Sequence, residues 1–198
     1  MIVEVWSDYL CPWCHVGRHR ASLLVERGAT VVHQPYELHP EIGPAGRSVR
    51  PDGRLGPTFD RIEAECDAVG LAFRRPARMP NTHRALATST LVRDRHPDSF
   101  EALHAALFDA QFVTGDPIDD ADLLDELVGA AGAPAAEVRA AVDAGDAEPL
   151  LAVARDRARD LGISSTPSWV FGDGFVVPGV PDPATFGRWA DKLLRQDR

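Results

Sequence analysis

The sequence predicts a mixed α/β fold: a small sheet with helices on its faces, ordered β-α-β … α-β-β-α and interrupted by an all-helical insertion. Three observations carry this. The first residues alternate strand, helix and strand within about forty positions. The middle of the chain repeats three- and four-residue apolar spacing with no strand signal. The last fifty residues return to a helix, two short apolar runs around a glycine turn, and a final helix.

In order, Ile2-Val3-Glu4-Val5-Trp6 is short, apolar and β-branched, which reads as a buried strand. From Val16 to Val25 the spacing becomes helical, and Gly28 stands where a C-terminal cap belongs. Thr30 to Tyr36 is a second strand, and the intervening helix implies a parallel pair with a right-handed crossover. Pro40 to Pro57 is rich in Gly and Pro and reads as a long exposed loop. Helices are then expected over Thr58–Val69, Asn81–Arg95, Asp98–Phe112, Asp119–Ala131 and Pro134–Asp143. Asn81 is the expected cap of the second, and Gly132 stands after the fourth. Ala147 to Leu161 is a further helix, ended by Gly162. Ser168–Phe171 and Phe175–Val177 flank Gly172-Asp173-Gly174, a hairpin signal. Pro183 opens a last amphipathic helix carrying Phe186, Trp189, Leu193 and Leu194.

The chemistry concentrates in Cys11-Pro12-Trp13-Cys14, at the first strand-to-helix junction. Cys11 falls at the helix N-cap, with Pro12 at the first helical position, where its missing N–H costs nothing. The free amide N–H groups of the first turn then favour the anionic sulfur. Such positions commonly lower a thiol pKa from about 8.5 into a range of roughly 3.5 to 7.5. Residues three apart share a helix face with Cβ atoms about 5–6 Å apart, whereas a disulfide prefers roughly 3.5–4.5 Å. The first turn must therefore tighten, which an N-cap Cys permits. Cys11 is accordingly expected to be the exposed attacking thiolate, and Cys14 the more buried resolving thiol.

Rival readings of the motif fare less well. A structural zinc site needs four ligands, usually two such pairs, and Cys66 has no CxxC partner. No metal is expected. With His15 the motif also fits a c-type haem attachment pattern, but that needs export and usually an axial ligand, and Met79 is the only internal methionine. A chance pair of core cysteines does not account for Pro-Trp at such a junction.

Composition narrows the function classes. At 198 residues and 44% hydrophobic the chain can bury a sizeable core. A net charge of −9 argues against nucleic acid or an anionic membrane as partner. No stretch is apolar enough for a membrane span, and no secretory signal is read at the N-terminus, which predicts a cytoplasmic protein. In that compartment a lone CxxC is more often catalytic or metal-binding than structural. Arg74, Arg75 and Arg78 read as a solvated, ion-paired face.

With the CxxC, the β-α-β start and Thr166-Pro167 just before the hairpin, the chain resembles the DsbA family of thioredoxin-fold proteins. Within that family it is most similar to the cytoplasmic FrnE-like branch, which carries Cys-Pro-Trp-Cys. Further matching stretches are Leu38-His39-Pro40-Glu41, Pro80-Asn81-Thr82, Phe112 through Gly115-Asp116-Pro117-Ile118, and Gly162-Ile163. The resemblance implies a thioredoxin-like domain of residues 1–38 and 147–198 with the helical insertion at 39–146. It implies a cis peptide at Thr166-Pro167 facing the Cys11 sulfur, with the Thr166 backbone free to pair with an extended substrate. It also implies a thiol–disulfide oxidoreductase or disulfide isomerase with a redox-active Cys11–Cys14 disulfide and no bound cofactor, working as a monomer or homodimer on protein or small-molecule disulfides and thiols. Two departures stand out. Thr166 replaces the apolar residue of the exported oxidant, and Pro12-Trp13 replaces its Pro-His, so a less oxidising couple is expected.

The same architecture serves 2-hydroxychromene-2-carboxylate isomerases and kappa-class glutathione transferases, which resemble this chain but carry Ser at the Cys11 position. The alternative is therefore an isomerase, transferase or reductase of small electrophiles that uses glutathione or another low-molecular-weight thiol as co-substrate. A third reading is a chaperone-like binding module whose action survives loss of both motif cysteines. Among neighbouring residues, Trp13 is read as a flat platform beside the reactive sulfur, against a partly buried anchor for the insertion. Asp8 is either a proton relay or a loop cap. His15 and His19 are read as helix-surface residues, with an electropositive influence on Cys11 as the alternative. Cys66, on an apolar stripe, is read as a buried inert thiol.

Overall fold

The computed structural model describes residues 1–172 and 174–196, with side chains to residue 192. Strand β1 (Ile2–Ser7) buries Val3, Val5 and Trp6 and pairs in parallel with β2 (Thr30–Pro35), Val5 opposite His33. Helix α1 (Pro12–Glu26) joins them. It stops where Gly28 turns left-handed (φ +84°) and the Ala29 N–H returns to the Leu24 carbonyl at 3.0 Å, a closure that favours glycine. Strands β5 (Ser168–Phe171) and β6 (Phe175–Pro178) complete a four-stranded sheet of order β2-β1-β5-β6, β5 antiparallel to both neighbours. Asp173, placed by sequence in the hairpin turn, lies outside the described residues, as do the side chains of Leu193 and Leu194.

The sheet is covered on both faces. Helix α8 (Pro183–Gln196) packs Phe186 and Ala190 with Leu24 of α1 against Val3, Val5, Trp169 and Phe171. Helix α7 (Glu148–Asp160) sets Ala154 and Ala158 over Trp6 and Val170. Alternation along β1 and β5 therefore serves two cores, which explains why both runs read as continuously apolar.

Between β2 and α7 lie α2 (Gly56–Ala68), α3 (His83–Arg95), α4 (Pro97–Asp109), α5 (Ala121–Ala130) and α6 (Ala135–Asp143). Three details correct the sequence expectation. The presumed exposed loop 40–57 contains β3 (Arg47–Ser48), paired with β4 (Arg78–Met79), two strands too short for periodicity to register. The helix expected to reach Phe112 widens after Asp109 into a π-helical turn, Ala110–Thr114, closed by Gly115 at φ +79°. The fourth insertion helix is capped by Asp120, whose carboxylate accepts from the Asp122 and Leu123 N–H groups, one residue beyond the expected start. Asn81 accepts from the His83 N–H, so it serves the start of α3 from just outside the N-cap.

The insertion does not form its core alone. Leu86, Leu103, Leu107, Phe108, Phe112 and Leu124 pack in one cluster with Tyr9, Cys11 and Cys14. The β1–α1 junction thus forms one wall of the insertion's own core.

Candidate active site

Cys11 is the N-cap of α1, in extended geometry (φ −88°, ψ 111°), and Pro12 takes the first helical position. Both cysteines are free thiols. The Cys11 thiol donates to the Thr166 carbonyl at 3.4 Å, across a Thr166–Pro167 peptide that is cis. The Cys14 side chain hydrogen-bonds the Cys11 sulfur, and this is the main reason the Cys11 thiol is held below its ordinary pKa. Burial opposes it, while Thr166 and the Cys14 N–H add to the lowering. Cys14 moves the other way: burial pushes it well up, and a negative Cys11 nearby adds to this. One acidic and one reluctant thiol in contact is the division of labour expected of an attacking and a resolving cysteine.

Cys11 itself is a correction. Expected to be exposed, it is only 5% accessible, because its sulfur lies against the Thr166 carbonyl and the insertion closes over it. His15 is a second correction: it is fully buried rather than on the helix surface. Four residues after Cys11, it faces the insertion, donates through Nε2 to the Ala72 carbonyl at 2.9 Å, and sits among Phe73, Phe108 and Phe112. Burial lowers its pKa. His19 is half-buried and contacts the Arg20 guanidinium.

Trp13 is half-buried and packs against the two hydrophobic clusters of the insertion, with the Arg61 guanidinium 5.6 Å from its ring centre. This packing is the partly buried anchor of the alternative reading. Pro12 is half-buried beside it, and Pro167 is buried. Cys66 is 1% exposed among Val16, Phe59 and Ile62, and burial raises its thiol to about 11.

Asp8 is wholly buried. Its carboxylate accepts from Leu38 N–H at 2.7 Å and Leu10 N–H at 3.3 Å, while its own carbonyl accepts from Cys11 N–H at 3.1 Å. It therefore ties the Cys11 junction to the chain leaving β2. Desolvation outweighs these bonds and raises its pKa to about 6. The folded protein consequently holds a proton on Asp8 that the unfolded chain has lost between about pH 4 and 6. This contribution to stability is present at the acid end and is lost as pH rises, by about 3 kcal/mol. His33, lowered by burial to about 4, acts oppositely and costs stability as pH falls below its unfolded value. Subtracting an Asp8→Asn variant isolates the first effect. In denaturant melts the wild type's advantage over the variant is expected to be about 3 kcal/mol larger near pH 3 than at neutrality. An advantage that does not change with pH would contradict the assignment.

Sequence reasoning missed Tyr9, His33 and His104. Their hydroxyl and rings meet beneath the junction only because β2 and α4 are brought together, and nothing local in the sequence signals that.

Sheet order, a cis-proline opposite a helix-capping CxxC, and an inserted helical lobe define a thioredoxin-like fold. The match of residues 2–188 to the DsbA-like thioredoxin domain places the chain in that family. The "probable DsbA oxidoreductase" of Streptomyces coelicolor is 27% identical, with a TM-score of 0.85 over 98% of this chain and 90% of that one. A 2-hydroxychromene-2-carboxylate isomerase shares the fold at 20% identity, TM-score 0.79, over 100% of this chain and 98% of its own. So does the cytosolic disulfide reductase DsbM of Pseudomonas aeruginosa, at 18% identity and TM-score 0.69, over 99% and 100% of the two chains.

Proposed function

We propose that the protein is a thiol–disulfide oxidoreductase in which Cys11 attacks a disulfide and Cys14 resolves the mixed disulfide. The observation that carries this reading is the placement of Cys11 at the N-cap of α1, with Cys14 three residues on in the first turn and the carbonyl of the cis Thr166–Pro167 peptide 3.4 Å from the Cys11 sulfur. Cys14 helps hold the Cys11 thiol low while burial holds its own up. Cys11 thiolate attacks one sulfur of the substrate disulfide and the other leaves as thiolate. Cys14, once deprotonated, then attacks Cys11 Sγ and expels the second substrate sulfur, leaving a Cys11–Cys14 disulfide. The substrates are protein or small-molecule disulfides and thiols. The FrnE-like assignment and a cytoplasmic setting belong to the same proposal; among the described residues no helix is long and apolar enough to cross a membrane.

A second reading is favoured by one observation each from fold and neighbours. The isomerase shares this fold, and DsbM has been solved with glutathione. Here glutathione or another low-molecular-weight thiol is co-substrate, and Cys14 is dispensable. Cys14→Ser separates the two. Resolution by Cys14 predicts that the variant accumulates a stable mixed disulfide with its substrate, detected as an added mass on Cys11 that dithiothreitol removes, while multiple turnover of oxidised insulin is lost. Full turnover by Cys14→Ser with added glutathione would reject the dithiol mechanism.

A further inference from the structure

Resolution requires that Cys14, 4% exposed and reluctant to ionise, lose a proton in the interior. A cavity of about 10 Å³, room for one water, lies beside Cys14 and is also lined by Ser7, Arg18, His33, His104 and Phe108. Among the described residues no carboxylate lines it. The two imidazoles are tilted at 50° to each other with ring centres 4.1 Å apart, and His104 Nδ1 lies 3.0 Å from the Tyr9 hydroxyl. His33 Nδ1 is buried and has no hydrogen-bond partner. The same two residues also line an open groove of about 690 Å³, together with Glu26, Val31 and Glu101. His33 and His104 therefore stand between a buried thiol and solvent.

We infer that His33 and His104 carry the Cys14 proton from the active site to the groove between α1 and α4. The inference rests on the dithiol reading above. A neutral imidazole offers one donor and one acceptor nitrogen, so it can take a proton on one side and release another on the opposite side. Burial keeps both rings neutral. The charged and titratable groups facing the pair are Tyr9 from the β1–α1 loop, Cys14, Arg18 and Glu26 from α1, Arg93 from α3 and Glu101 from α4. Arg18 and Arg93 disfavour a resident imidazolium, which suits transit rather than storage of the proton.

In the step, the Cys14 S–H proton crosses the cavity to the imidazole pair. Cys14 Sγ forms its bond to Cys11 Sγ as the bond from Cys11 Sγ to the substrate sulfur breaks, and that sulfur leaves as thiolate with the bonding electrons. The pair releases a proton into the groove and returns to its starting charge.

Rapid mixing of the reduced protein with dithiobis-nitrobenzoate reads both half-steps, because Cys11 attack and Cys14 resolution each release one coloured thiolate. In His104→Phe the first release is expected at the wild-type rate. The second is expected to slow by about tenfold or more near neutral pH, within the usual span of proton-transfer catalysis, and to recover at alkaline pH where hydroxide takes the proton. His33→Asn, on a strand whose side chain reaches the groove, is expected to show the same pH-dependent lag and decides the matter if His104→Phe does not fold. A second release unchanged at every pH in a folded variant overturns the inference. A second release that persists in Cys14→Ser instead overturns the dithiol reading beneath it.

Discussion

Exchanging Cys11 for Ser is expected to lower disulfide turnover by about a thousandfold or more, with the fold intact. Sulfur supplies what oxygen cannot here. In the proposed exchange the thiolate is both nucleophile and redox atom, whereas a serine hydroxyl in the same place remains protonated and has no disulfide to form. The size of the loss follows from the step removed, since knocking out the nucleophile of a two-residue unit costs nearly everything the unit provides. A finer measurement concerns ionisation. Alkylation of Cys11 against pH is expected to show a midpoint below that of an ordinary thiol, and Cys14→Ala is expected to move that midpoint upward, because the Cys14 side chain is the first cause of the lowering. A midpoint unmoved in Cys14→Ala would mean the helix terminus alone ionises Cys11, as the sequence suggested.

That difference marks where legibility ended. The strands, the order of helices and the Cys11 cap were written in local pattern, because each depends on residues within a few positions of one another. Gly28 and Gly132 mark helix ends by a conformation that glycine adopts readily. Legibility failed where the partner is remote. His15 is four residues past Cys11 and looks like any polar residue of a helix start, yet its bonding partner is Ala72 in the insertion. Trp13 gave no sign of which elements would bracket it. The burial of Cys11 could not be read either, because the groups that cover it come from 27 or more positions away, at Leu38 and in α3 to α5.

These remote contacts share one geometry. Trp13, His15 and Arg20 all belong to α1, and each reaches out of the thioredoxin-like part, to the insertion's clusters, to Ala72 and to Glu65. The insertion is thereby fixed to the helix that carries the cysteines at several points along its length. A rearrangement of the insertion would therefore be felt at the reactive sulfurs, and the shared core around Tyr9, Cys11 and Cys14 gives the same result from packing.

Arg20 offers the sharpest test of that attachment. Its side chain is completely buried, donates through Nε to the Pro181 carbonyl at 2.9 Å and pairs with Glu65 of α2 at 2.7 Å. Arg20→Ala removes these two bonds and the contact with His19 and opens a void, leaving the carbonyl before α8 without its guanidinium donor. Breaking a buried pair of this kind costs about 3–5 kcal/mol. Glu65 is 38% exposed and can regain water, so the lower end is expected. For a chain of 198 residues this corresponds to a fall in Tm on the order of 10 °C, read by circular dichroism. Arg20→Met, which keeps the volume and removes the charge, is expected to recover part of the loss through packing but not the bond to Pro181. Equal stability of wild type and Arg20→Ala would show that α1, α2 and the approach to α8 hold together without this residue, and that apolar packing of Val16 against Phe59 and Ile62 suffices.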